Sequence, residues 1–118
     1  MSKFLYLISP ERITNHKIFL KKLELVFTSN IIKFFQLRVK NQKRKQIIFI
    51  GKKIIKLTRK YKVNFIINDD PYVAKLLNAD GCHLGQQDMS INFAKKILKK
   101  GFQFKYATIE KALQNLLP

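Results

Sequence analysis

Three short stretches of this chain place polar side chains at spacings that could do chemistry. The first is Gln36-Leu37-Arg38-Val39-Lys40. On a strand, the period of two sends Gln36, Arg38 and Lys40 to one face and Leu37 and Val39 to the other. A guanidinium fork suits two oxygens of a phosphate, the lysine adds a movable point charge, and the glutamine amide can donate to the same anion. From this segment alone, an edge strand with one wet face reads equally well. The second stretch, Asn68-Asp69-Asp70-Pro71, follows a buried apolar run directly. Asp70 before Pro71 is accounted for as a helix cap, which leaves Asp69 for chemistry. The third, Ala79 to Asp88 (ADGCHLGQQD), sets Asp88 just after another apolar run. Two carboxylates at consecutive strand ends could hold a hard cation such as Mg2+, which takes few protein oxygens beside substrate phosphates. Asp88 also reads as a turn residue. His83, inside an apolar strand with no evident partner, reads best as a strand histidine.

The elements that must position these groups follow from the hydrophobic periodicity. Lys3 to Ser9 is a short apolar run ending in Ser-Pro, as expected of a buried strand leaving into a loop. From Thr14, the residues Ile18, Phe19, Leu23, Val26 and Phe27 recur at steps of three and four with lysines between them, which predicts an amphipathic helix. Ile31 to Lys40 reads as a second strand, and Asn41 opens a long helix carrying Ile47, Ile48, Ile54, Ile55 and Leu57. Val63 to Ile67 is a third strand, followed by a short helix from Pro71 through Leu77. Gly81 to Leu84 is a fourth strand, and Ser90 caps a helix running to Lys100 and stopped by Gly101. Phe102 to Tyr106 reads as a fifth strand and Thr108 to Leu117 as a terminal helix. Strands alternating with helices imply an α/β fold with a parallel sheet, because each crossover returns the chain to the same edge.

A chain of 118 residues, 47% of them hydrophobic, is long enough for one domain with a real core and too short for two. No apolar run approaches the roughly 20 residues of a membrane span, and the start MSKFLYLISPER is too briefly apolar for a signal peptide. The expectation is a cytoplasmic protein without a membrane partner. The lone Cys82 excludes disulfide scaffolds and cysteine-based zinc sites. A net charge of +17 would attract phosphates of any kind. Of the 24 basic residues, 20 are lysines dispersed along the helices, so the charge reads as a solvated surface bias before it reads as a nucleic-acid footprint, which would cluster on one face.

Gln-x-Arg-x-Lys at 36 to 40, Asn-Asp at 68 and 69, and Ala-Asp-Gly-x-His-Leu-Gly-Gln-x-Asp at 79 to 88 together resemble the thiamine phosphate synthase (TenI-like) family in order, spacing and strand context. The resemblance implies a TIM (βα)8 barrel. It also implies the joining of a hydroxymethylpyrimidine diphosphate to a thiazole phosphate with release of pyrophosphate. Carried onto this chain, Gln36, Arg38, Lys40 and Asn68 would hold the pyrimidine diphosphate, while Asp69 and Asp88 would ligate Mg2+. That chemistry suits the residue types: loss of pyrophosphate leaves a cationic methylene, so metal and basic groups lower the barrier by neutralising the leaving charge. The related thiazole tautomerase branch lacks the paired aspartates, so Asp69 with Asp88 favours the synthase branch.

The likeness covers residues 1–100, and the tail 101–118 diverges from it. The expected architecture is therefore a truncated barrel of about four to five βα units, since closed barrels need roughly 200 residues or more. The family's Gly-x-Ser strand end and its later diphosphate contacts have no counterpart here, and a changed reading frame after Lys100 would account for that. Such a half barrel should self-associate or await a complementing half, because an open sheet exposes edges and apolar surface. Two further readings stand beside the enzyme: a non-catalytic binding module and, ranked last, a basic nucleic-acid-binding protein.

Overall fold

The computed structural model describes residues 4–84 of the chain. Four strands, β1 (Leu5–Ile8), β2 (Ile32–Leu37), β3 (Asn64–Asn68) and β4 (Gly81–His83), alternate with three helices, α1 (His16–Phe27), α2 (Arg44–Lys60) and α3 (Pro71–Leu76). The strands are all parallel and lie in the order β1-β2-β3-β4. Each crossover thus moves to the next neighbour without reversing, which is how a barrel wall is laid down rather than a doubly wound sheet. The elements expected over 90–117 lie outside the described residues.

Local chemistry sets the helix boundaries. Asn15 caps α1, its side chain accepting from the Ile18 amide at 3.0 Å. Asp70 caps α3 by accepting from the Val73 amide at 3.2 Å, and Pro71 takes the first turn, where its missing N–H costs nothing. Helix α2 begins at Arg44 rather than Asn41, because Asn41 stands in the left-handed region with φ 57° and cannot continue a helix.

Side chains alternate across the sheet. Leu7, Phe35, Leu37, Phe65, Ile67, Cys82 and Leu84 join the core under the helices, with Leu23 and Phe27 of α1, Ile50 and Ile54 of α2, and Val73 and Ala74 of α3. Phe35 is central, with its ring 6.4 Å from Phe19, 6.0 Å from Phe27 and 6.2 Å from Phe65. Burial of side chains of this size contributes roughly 1.5–3 kcal/mol each. Gly51 lets α2 approach α3, since a Cβ there would collide with the Leu77 side chain. The opposite parity of the sheet presents Tyr6, Phe34, Gln36, Ile66, Asn68 and His83, with Tyr6 stacked on Phe34 at 5.5 Å. This second face carries the candidate chemistry.

Candidate anion site at the strand ends

The carboxyl ends of parallel strands gather the loops that can carry function. Strand β2 stops at Leu37 instead of running to Lys40, because neither neighbour pairs beyond it: β1 ends opposite Gln36 and leaves through Pro10, and the ladder with β3 ends at the Leu37–Ile67 pair. Arg38 and Lys40 are therefore loop residues. Their backbone is held by the loop after β1: the Arg38 amide donates to Ser9 Oγ at 2.8 Å and the Lys40 amide to the Glu11 carbonyl at 2.9 Å. The Ser9 amide in turn donates to the Gln36 carbonyl at 2.9 Å. Two loops are thus stitched into one rim.

On that rim, Arg38 Nη1 and Lys40 Nζ each lie 3.4 Å from the same Glu11 oxygen, Oε1. The guanidinium and the ammonium converge on one negatively charged point from a loop, not from the face of a strand as the period of two predicts. Gln36, the third tooth, is 2% exposed and donates from Nε2 to the Tyr6 hydroxyl at 2.9 Å. Its Oε1 is buried with no hydrogen-bond partner among the described residues. Which amide end is nitrogen is set by the bonding network. With the amide turned over, Tyr6 would donate to the oxygen, and an N–H would be left to offer to an anion.

The neighbouring strand ends form a second cluster. Asn68 Nδ2 donates to Asp69 Oδ2 at 2.9 Å, and Asn68 Oδ1 lies 3.2 Å from His83 Nδ1 across the β3–β4 ladder. The Asp69 amide donates to the His83 carbonyl at 2.7 Å. His83 therefore has a partner, and that partner is Asn68, a residue already singled out for binding. Asp69 is exposed and stands at φ 68°, a left-handed conformation that Asp and Asn tolerate better than most residues. Asp70 keeps its structural task, with Arg44 Nε at 2.8 Å from its Oδ2. Among the described residues no group of three or more His, Cys, Asp or Glu is placed to hold a metal ion. The exposed Asp69 carboxylate suits a hard cation that binds few protein oxygens, and its expected partner Asp88 lies outside the described residues. Glu11, Ser9 and Tyr6 were not legible as site residues. Their one signal was position, in or directly after the first strand.

Comparison with known proteins supplies the family and the fold. The family model for thiamine monophosphate synthase matches residues 5–104. The thiamine-phosphate synthase of Pelagibacter ubique (strain HTCC1062) is 56% identical over 97 residues, which are 82% of this chain and 46% of the relative. That of Fusobacterium nucleatum subsp. nucleatum is 39% identical over 98 residues, 83% of this chain and 47% of the relative. A solved structure, the thiamine phosphate pyrophosphorylase from Pyrococcus furiosus, superposes with a TM-score of 0.71 at 28% identity, covering 96% of this chain and 54% of that one. The chain spans about half the length of the curated relatives it matches.

Proposed function

Because this chain belongs to the thiamine monophosphate synthase family, we propose that it serves thiamine biosynthesis in the cytoplasm, joining hydroxymethylpyrimidine diphosphate to thiazole phosphate with release of pyrophosphate. The observation that carries the reading is the convergence of Arg38 and Lys40 on one anionic point beside the strand ends that bear Gln36, Asn68 and Asp69. Arg38 and Lys40 take the diphosphate oxygens, and both long side chains can follow the leaving group as its charge grows. Gln36, with its amide turned over so that Tyr6 donates to its oxygen, offers an amide N–H from its buried position. Asn68, held between Asp69 and His83, orients the second cluster toward the same ligand. Asp69, with Asp88, would hold Mg2+, which supplies charge neutralisation of the departing pyrophosphate. No protein nucleophile is required.

The test is thiamine phosphate formation by the purified chain with both substrates and magnesium, beside Arg38→Ala and Asp69→Asn. Turnover that disappears in both variants supports the reading, and turnover that survives both removes these residues from the site. A second reading, a half-barrel module that works with another copy or a complementing half, is favoured by the β1 side of the sheet. There β1 is terminal among the described strands, and an apolar groove of about 460 Å³ lies between it and α1, lined by Leu7, Ile13, Ile18, Phe19 and Val26. Activity that appears only when the carboxyl-terminal half of a full-length relative is added would favour that reading. No helix among the described residues is long and apolar enough to cross a membrane.

A further inference from the structure

We propose that Glu11 is a built-in counter-ion occupying the place of a phosphate oxygen between Arg38 and Lys40, displaced when the diphosphate binds. The inference rests on the anion-site reading above and adds a residue that neither the motifs nor that reading assigned. Three observations carry it.

First, a single oxygen, Glu11 Oε1, is shared by Arg38 Nη1 and Lys40 Nζ at 3.4 Å each. A carboxylate oxygen at the meeting point of two cations marks where a phosphate oxygen would be attracted. Secondly, the contact is loose. Both distances exceed the roughly 2.7–2.9 Å of a charge-assisted hydrogen bond, only one nitrogen of the Arg38 fork faces the carboxylate, and the Glu11 side chain is 58% exposed. Such pairs hold little free energy and exchange readily. Thirdly, the Glu11 backbone is anchored by a hydrogen bond while its side chain stands in solvent. Its carbonyl accepts from the Lys40 amide at 2.9 Å, so the carboxylate stays tethered beside the cations after it swings away. In the free protein, Glu11 keeps two neighbouring cations from repelling each other and from recruiting stray anions. In the complex, its charge lies close to the diphosphate and opposes it. Glu11 is a positioning residue in this scheme and does not touch the reacting atoms.

The experiment is calorimetric titration of inorganic pyrophosphate into the full chain, wild type against Glu11→Gln and Arg38→Ala, at low and at high salt. Glutamine keeps the size of the side chain at an exposed position and removes the charge. The expected result is pyrophosphate binding about three- to tenfold tighter in Glu11→Gln at low salt, with the gain shrinking as salt screens the carboxylate. A merely structural role for Glu11 would not produce that salt dependence. If wild type binds, Arg38→Ala loses binding, and Glu11→Gln binds no more tightly than wild type, the counter-ion role is overturned while the anion site stands. If neither wild type nor Glu11→Gln binds pyrophosphate, the anion site and the counter-ion role fall together.

Discussion

Two acidic residues in similar company, Glu11 and Glu24, sit at opposite ends of the sheet and are held very differently. Glu11 meets Arg38 and Lys40 at 3.4 Å, in solvent, where the strands end. Glu24, near the carboxyl end of α1, accepts from Lys60 Nζ at 2.9 Å and from the Tyr61 hydroxyl at 2.8 Å through the same Oε2. The hydrogen bond from Lys60, then that from Tyr61, hold the Glu24 carboxyl below its ordinary value, and the bond to Glu24 pushes both Lys60 and Tyr61 above theirs. Around Glu24's end of the sheet short hydrogen bonds recur, although the Arg59–Asp80 ion pair there, at 3.5 Å, is as long as the Glu11 contacts. Arg59 Nη2 donates to the Asn78 carbonyl at 2.6 Å, and the Phe65 amide donates to Asp80 Oδ2 at 2.7 Å. The lesson is a division of labour common in barrel folds: the strand starts are tied for stability, and the strand ends keep charges that can change partners. Where the strand-end side has a purely structural pair, Arg44 with Asp70, the distance shortens to 2.8 Å.

The largest effect should come from the core that both ends share. Phe35→Ala, removing a ring that touches three others, is expected to cost about 3–5 kcal/mol in chemical denaturation. A single transition is expected, and loss of one end before the other would break the picture of a common floor. At the tied end, Asp80→Ala leaves the Phe65 amide without its side-chain acceptor and should cost about 1–3 kcal/mol, with pyrophosphate binding unaltered. A change in binding as large as the change in stability would contradict the division.

At the open end the balance should reverse. Arg38→Ala should weaken pyrophosphate binding at least about tenfold, which corresponds to about 1.4 kcal/mol, while stability stays within about 0.5 kcal/mol. Asp69→Asn keeps a residue type suited to φ 68°, so its denaturation midpoint should match wild type even as magnesium-dependent turnover is lost. The smallest effect should be the pH response of Glu24. Its folded carboxyl lies below the ordinary 4.5, so the stability it contributes is present above that value and is lost as pH falls through the folded value. Lys60 runs the other way, its contribution being present below 10.5 and lost as pH rises through its raised value. Melting temperature followed against pH should therefore have a slightly shallower acid-side slope in Glu24→Gln. The same slope in both proteins would place the acid sensitivity elsewhere.

Much of the fold could be read along the chain because its signals are local. The apolar period of α1, the Asp70-Pro71 start of α3 and the short β-branched run of β3 all depend on neighbours within a few residues, and each element formed where it was expected. Strand β2 was overextended because the residues 38 to 40 alternate like a strand, whereas a ladder needs a partner and the pairing with both β1 and β3 ends by Leu37. The candidate site reads as three motifs; in the described residues Arg38 and Lys40 share one Glu11 oxygen, and Asn68 contacts Asp69. The partner of His83 could not be read, because Asn68 is fifteen positions away and meets it only through the β3–β4 register. Glu11 is farther still from Arg38, at a separation of 27.

The sequence by itself determined which elements form, that they alternate, and which residue types stand at the strand ends, since propensity, capping and hydrophobic period act over short stretches of chain. The tertiary structure alone decided which strand ends lie side by side, that Ser9 and Glu11 hold the Arg38–Lys40 rim, and that one carboxylate is loose while another is tight. Those outcomes depend on the register between strands distant in sequence and on how much water reaches each pair, and neither quantity exists until the sheet has assembled.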